Sequence, residues 1–203
     1  MGAYCPAPLG TPKLLTELEE TVFVPTVHAM KRGRFPFQGV LYAGVMLTNQ
    51  GPRVLEFNCR LGDPEAQAVL PLVESGLIDA FWRIAHGEPP SRLTRSRAAA
   101  VTTVLAARGY PDRPEKGAEI AIPADLRPGV TVFHAGTERD RGGALRVAGG
   151  RVLSVTGVAP SFPAAQRLSR DAAERIEFAG KQFRRDIGWR EAARIGVPAP
   201  AGG

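Results

Sequence analysis

Cysteine and methionine are scarce in this 203-residue chain, with two and three copies, and aromatic residues make up only 7% of it. Cys5 and Cys59 form no C-x-x-C pair and have no histidine cluster nearby, so neither a disulfide framework nor a zinc site is indicated. Both read as reduced thiols. Long apolar runs are missing too. Val40 to Leu47 and the Thr-containing stretch Ala98 to Ala107 fall well short of the roughly 20 residues that cross a bilayer. The N-terminus lacks a basic segment followed by an apolar core, so no secretory signal is read and the expected address is the cytoplasm. G-x-S-x-G, P-loop and G-x-G-x-x-G patterns are absent, which leaves nucleophilic catalysis without support.

What remains is an ordinary globular balance, 44% apolar and 23% charged, with 23 Gly and 18 Pro marking a loop-rich chain. Charge is placed unevenly. Residues 1–88 hold 7 Lys and Arg against 9 Asp and Glu, net −2, whereas residues 89–203 hold 19 against 11, net +8. A basic second half invites a nucleic-acid reading. The arginines are nevertheless interspersed with acids and lack repeated aromatic neighbours, so a solvated surface and a small anionic substrate are the favoured explanation.

Residues 1–10 are Pro-rich, without periodicity, and read as an extended arm. Thr11-Pro12 caps a helix running to about Arg32, with a kink expected at Pro25. A hairpin follows: strand formers from Gly39 to Thr48, a turn at Asn49 to Gly51, and a returning strand Arg53 to Asn58. Asp63 is expected to cap a single helix that starts at Pro64 and ends at His86-Gly87. Glu88 to Ser91 reads as linker. Beyond it come strands at Ala99–Ala107 and Val130–His134, a second hairpin from Leu145–Val147 and Val152–Val155 about Gly149-Gly150, and a helix from Ala164 to Phe178. The fold class is α+β in two units.

Val54 to Glu65 is the most informative segment. Residues two apart on a strand share a face, so Glu56, Asn58 and Arg60 line one side while Leu55, Phe57 and Cys59 face the other. A carboxylate and an amide oxygen at this spacing suit Mg²⁺, which takes one or two protein oxygens together with substrate phosphates. Arg60 would pair with a phosphate or carboxylate. The plainer alternative is an edge hairpin with a solvated polar face. His28, His86 and His134 have no partners at metal spacing and read as structural. Lys181, Arg184 and Arg185 form a late basic cluster, either a solvated helix end or an anion clamp.

The motifs Met1-Gly-Ala-Tyr, Leu41-Tyr-Ala-Gly44, Glu56-Phe-Asn-Cys-Arg-Leu-Gly-Asp-Pro-Glu65, Gly109-Tyr-Pro111, Phe133-His-Ala-Gly-Thr137, Gly150-Arg-Val-Leu153 and Arg184-Arg-Asp-Ile-Gly188 occur in the order found in the phosphoribosylamine–glycine ligase family, which the chain resembles from end to end. Leu61 stands where that family usually has Phe, and Cys5 where it usually has Ser.

The resemblance implies an ATP-grasp ligase of purine biosynthesis. In it the γ-phosphate of ATP activates the carboxylate of glycine as an acyl phosphate, the amine of phosphoribosylamine attacks, and ADP and phosphate leave. It implies Glu56 and Asn58 as ligands of Mg²⁺ (or Mn²⁺), Leu55 and Glu56 on the side of ATP, and Arg60 and Asp63 as catalytic neighbours facing phosphate or glycine. The implied domains are 1–88, the carboxyl-terminal part of the ATP-grasp domain with helix, hairpin and helix; 89–94, a linker; 95–195, a small, mostly antiparallel β domain with a terminal helix; and 196–203, a tail. Only about the carboxyl-terminal half of the family is matched, so the amino-terminal half is expected in cis or as a partner chain. Met1 then reads as an internal methionine or the edge of a fragment, inactive alone. A non-catalytic basic binding module derived from that half is the alternative.

Overall fold

The computed structural model describes residues 1–196; residues 197–203 of the expected tail lie outside the described residues. In chain order the elements are β1 (Gly2–Cys5), α1 (Pro12–Leu18), a π-helical turn (Glu19–Phe23), α2 (Val24–Arg32), β2 (Tyr42–Thr48), β3 (Gly51–Asn58), α3 (Glu65–Val69), a 3-10 turn (Leu70–Leu72), β4 (Val73–Ser75), α4 (Leu77–Ala85), β5 (Thr94–Arg95), β6 (Ala99–Ala106), β7 (Val130–His134), β8 (Thr137–Arg139), β9 (Leu145–Val147), β10 (Arg151–Ala159), α5 (Phe162–Arg175) and α6 (Trp189–Arg194). Every strand pairing in the sheets is antiparallel, and the class is α+β.

Two compact units divide these elements: residues 1–6, 64–72 and the described residues from 96 onward form one, and residues 7–63 and 73–95 the other. The units are interleaved along the chain. Thr94 and Arg95 form β5 and pair with β4 inside the second unit.

In the first unit β6 is the central strand of a sheet ordered β1-β6-β10-β7. Its residues Ala-Ala-Val-Thr-Thr-Val-Leu carry apolar or hydroxyl side chains on both faces, as a strand covered on both sides requires, and all seven are buried. Helix α5 lies on β6 and β10 through small residues: Ala165, Ser169, Ala172 and Ala173 are buried. The approach is close enough that a Cβ at Gly157 would lie 2.5 Å from the Ala165 carbonyl oxygen and 2.7 Å from Leu168 Cβ. Four buried hydroxyls are satisfied within this layer. Thr102 and Thr156 share a 2.7 Å hydrogen bond, Thr156 Oγ1 donates to Gln67 O on α3, Thr103 meets Ser169 at 2.8 Å, and Ser169 Oγ donates to Val155 O. Leu105, Val152, Leu153, Val155 and Ile176 fill the rest of the core.

The second unit holds the α1–α2 segment, the β2–β3 hairpin, the β4–β5 pair and α4. Its core is thin. Of the buried apolar residues among the described ones, only Ala80 belongs to it, while 13 of the 16 exposed large apolar side chains do, including Ile78 at 85% and Trp82 at 66%. The faces of α4 and the hairpin thus carry apolar side chains that stay exposed.

Several sequence expectations are corrected. Residues 2–5 of the expected arm are an edge strand, registered Gly2 on Thr103 to Cys5 on Ala100. The Thr11 cap stands, its hydroxyl accepting from Leu14 N, but the helix departs from α geometry at Glu19–Phe23, N-terminal to Pro25. Proline has no N–H for the Thr21 carbonyl, and the widened turn accommodates that loss. The single helix expected from Pro64 to Gly87 is broken into α3, a 3-10 turn, β4 and α4. Pro71 cannot continue the helical ladder, and Gly76 takes φ +87°, where a side chain would be strained and a Cβ would meet Arg92 O at 2.8 Å. Asp63 does not cap it: Pro64 occupies the N-cap position, with no side-chain bond. The second hairpin is also re-paired. β9 joins β8, and β10 joins β6 and β7, because Ala148 N and Gly149 N both bond to Gly136 O and turn the chain out of the sheet. Strand Val130–His134 falls as expected, and the last helix runs from Phe162 to Arg175 rather than from Ala164 to Phe178.

Gly157→Ala forces backbone to move at the α5–β10 crossing. It is expected to cost about 2–3 kcal/mol, read as a lower urea midpoint with near-unchanged slope. Thr156→Val, which strands the Gln67 carbonyl and the Thr102 hydroxyl, is expected to cost about 1–3 kcal/mol in the same titration.

Candidate functional site

The hairpin carries the residues that the sequence singles out. Thr48 closes its turn, accepting from Gln50 N at 3.1 Å and donating to Gly51 O at 2.8 Å. Pairing then runs from Thr48 opposite Gly51 to Tyr42 opposite Asn58, with one irregularity: Val45 faces Val54 and Gly44 faces Glu56, so Leu55 is an extra residue in β3. Such a bulge re-aims the side chains that follow it. Leu55 is 65% exposed.

Beyond the bulge three polar side chains form a row. Asn58 Nδ2 donates to Glu56 Oε1 at 3.0 Å, Arg60 Nη2 donates to Asn58 Oδ1 at 3.1 Å, and Arg60 Nη1 donates to Leu61 O at 2.8 Å. Carboxylate, amide and guanidinium are therefore brought together on one face, as the period-two reading expects. Glu56 and Arg60 are exposed and Asn58 is half-buried. Asp63 is exposed three residues further on.

The donor set fits a hard divalent cation. Glu56 offers carboxylate oxygens, and Asn58 offers its amide oxygen by turning about its terminal torsion. Two protein oxygens leave most of the coordination sphere to phosphates or water, a shortfall that suits Mg²⁺ better than a protein-caged metal. Among the described residues no group of three or more His, Cys, Asp or Glu is placed to hold a metal ion. The histidines have local roles: His86 stacks on Trp82 and contacts its carbonyl through Nδ1, and His134 meets Thr137 Oγ1 at 3.1 Å. Neither cysteine forms a disulfide. No helix among the described residues is long and apolar enough to cross a membrane.

The late basic cluster separates into three different roles. Lys181 Nζ donates to the carbonyls of Ala173, Glu174 and Ile176 and so closes the C-terminal end of α5. Arg185 pairs with Glu174 at 3.3 Å. Arg184 binds both oxygens of Asp186, Nε to Oδ1 at 2.8 Å and Nη2 to Oδ2 at 2.5 Å, and this contact holds the Asp186 carboxyl below the usual carboxylate range. Much of the basic half is paired in the same manner, as in Arg146 with Asp140 and Arg175 with Asp125.

Arg184 and Asp186 also line a cavity of about 490 Å³ in the first unit, together with Gly2, Tyr4, Trp189 and Arg190. Sequence spacing gave no sign of it. Its walls come from distant parts of the sequence, which meet on β6: β1 pairs with that strand, and Gln182 bridges Ala106 at its end.

Known proteins sharpen this picture. Residues 1–66 match the ATP-grasp (A) domain of phosphoribosylglycinamide synthetase, and residues 100–190 match its C domain. The phosphoribosylamine–glycine ligase of Ralstonia nicotianae is 44% identical over 197 residues, which is 96% of this chain and 46% of that protein. The crystal structure of the Thermotoga maritima phosphoribosylamine–glycine ligase superposes with a TM-score of 0.81 at 36% identity, covering 92% of this chain and 46% of that one. A biotin carboxylase domain from Hydrogenobacter thermophilus, solved with MgADP, ADP and bicarbonate, shares the fold at a TM-score of 0.64 and 18% identity, covering 98% of this chain and 44% of that one. The chain thus spans about half the length of the relatives it matches.

The Arg184–Asp186 contact predicts a sign for the pH response. With its folded pKa depressed, Asp186 adds stability that is present above the unfolded carboxylate value of about 3.9 and is lost as pH falls through the lower folded value. Urea midpoints of the wild type and Asp186→Asn should therefore differ at pH 6 and converge as the solution is acidified below pH 4.

Proposed function

Since the chain belongs to the phosphoribosylamine–glycine ligase family, of which it carries part of the ATP-grasp domain together with the C domain, we propose that it supplies the metal-binding hairpin and carboxyl-terminal domain of an enzyme joining glycine to phosphoribosylamine with ATP, in purine biosynthesis. The observation that carries this reading is the row Glu56–Asn58–Arg60 along one face of β3. A family match alone would survive the decay of a site; three interlocked side chains of this chemistry give it a working part.

In this reading Glu56 and Asn58 hold Mg²⁺, which when bound offsets the negative charge of the triphosphate during phosphoryl transfer. Glu56 and the neighbouring Leu55 lie on the side of ATP. Arg60 presents a forked donor to the glycine carboxylate or to the phosphoryl group moving onto it, aligning one with the other. Asp63, exposed three residues beyond Arg60, offers a carboxylate to accept the proton that the amine loses when it attacks. The products are glycinamide ribonucleotide, ADP and phosphate. The same reading places the chain in the cytoplasm. The remainder of the ligase, joined in the same chain or supplied as a second one, covers the exposed apolar faces of the second unit and contributes the rest of the nucleotide site, so this chain alone is inactive.

Two measurements test this reading. Mn²⁺ added to the 203-residue chain should lose its free-ion electron paramagnetic resonance signal, and Glu56→Gln should weaken that binding at least tenfold, since even indirect support of a metal ligand is worth about 10–100-fold. With the amino-terminal part of a relative supplied, ADP formation should appear and should require both glycine and phosphoribosylamine. Near-normal turnover of Glu56→Gln in that complete enzyme would remove Glu56 from the site.

A further inference from the structure

We infer that Arg60 is a positioning residue that locks the candidate metal site. Its guanidinium holds the Asn58 amide with the oxygen turned away from Glu56, so a divalent cation and the Arg60–Asn58 bond exclude each other, and binding of the cation frees Arg60 for an anionic substrate. This rests on the reading of Glu56 and Asn58 as metal ligands and adds an order of events to it. Asn58 Nδ2 donates to Glu56 Oε1 at 3.0 Å, and Arg60 Nη2 donates to Asn58 Oδ1 at 3.1 Å. A guanidinium only donates and an ionised carboxylate only accepts, so between these two neighbours the amide has a single arrangement that satisfies both.

That arrangement is the wrong one for ligation. A divalent cation shared with Glu56 needs the amide oxygen, yet the atom that faces Glu56 is the nitrogen. Half a turn about the terminal torsion of Asn58, a soft rotation, exchanges the two atoms. The NH2 group then faces Arg60, donor against donor, and the cation adds like-charge repulsion, so Arg60 Nη2 must leave. It does not go far, because Nη1 donates to the carbonyl of the adjacent Leu61 at 2.8 Å. Glu56 and Arg60 are exposed, so packing fixes neither. Gly44, opposite Glu56 on β2, carries no side chain; a Cβ there would lie 3.3 Å from Glu56 Cγ, and its absence leaves the carboxylate room to turn. A carboxylate substrate thus finds its arginine only once the cation is in place. By linkage, an anion that takes up Arg60 strengthens cation binding by the same factor as the cation strengthens its own.

The test compares Mn²⁺ binding, followed by the free-ion electron paramagnetic resonance signal, in the wild-type 203-residue chain, Arg60→Met and Arg60→Lys. Removal of the lock is expected to tighten Mn²⁺ about fivefold in Arg60→Met, the worth of about one hydrogen bond. Arg60→Lys keeps the charge but has no rigid fork to span Asn58 and Leu61, and it too should bind more tightly than the wild type. Arg60 is exposed, so neither variant should move the unfolding midpoint. A charge effect alone gives a different pattern: a lysine variant equal to the wild type, and a gain in Arg60→Met that fades in about 0.5 M KCl, where exposed charges are screened within a few Å. That pattern overturns the inference, as does weaker Mn²⁺ binding in Arg60→Met. In the wild type the Asn58 side-chain amide and Arg60 Nε–H resonances should shift with one midpoint as Mg²⁺ is added, and an Arg60 signal that stays put while Asn58 moves also overturns it. Equal binding by all three chains removes the lock and leaves the ligase reading standing, whereas failure of all three to bind Mn²⁺ removes the metal reading of Glu56 and Asn58 itself.

Discussion

The close contact between α5 and β10, with no side chain at Gly157 to hold them apart, is the constraint on which the first unit depends. It brings Ser169 within reach of Thr103 and of the Val155 carbonyl. Hydroxyls in a dry interior are stabilising only when each has its partner. Here the two Ser169 bonds depend on the helix-to-sheet spacing, while Thr102 and Thr156 pair within the sheet and Thr156 extends the arrangement to α3 through the Gln67 carbonyl. Separation of the helix from the sheet by a single methyl group would disturb both Ser169 bonds together.

Much of this was legible in the sequence where local chemistry and tertiary context agree. The β6 run, with apolar or hydroxyl side chains on both faces, could only be a covered strand, and the Thr11-Pro12 cap and the Val130–His134 strand needed nothing beyond their own residues. The misreadings share a physical cause. Gly2–Cys5 is a strand because β6 offers it an edge, about 95 residues later in the chain, and no local pattern announces that. The apolar spacing from Val69 to Ile84 continues through Pro71 and Gly76 as though the helix did, yet the backbone cannot follow it. Gly149-Gly150 marks a real turn, but the partner of β9 was decided by hydrogen bonds to Gly136.

The candidate site shows the same division. Residues two apart on a strand must share a face, so the row Glu56, Asn58, Arg60 was foreseeable, while the bulge at Leu55 that precedes it was not. Lys181, Arg184 and Arg185 looked alike as a basic cluster and turned out to have unrelated work. One closes a helix end, one meets Glu174, and one is held by Asp186 on a cavity wall. Charge in a sequence says how many cations there are; only the fold says which of them remain unpaired. The two units differ in a related way, since nearly all of the buried apolar surface lies in one and most of the exposed apolar side chains in the other.

The interleaving of the units bears on how the chain is made. β1 leaves the ribosome about 95 residues before the strand it pairs with, a wait of roughly 5–20 s at ordinary rates of synthesis. During that time the whole hairpin unit is extruded with its apolar side chains uncovered, before any of β6, β10 or α5 exists to start a core. Between β1 and β6 the chain exposes these apolar side chains before the strands of the core have been made, so this interval is when it is most in need of a chaperone.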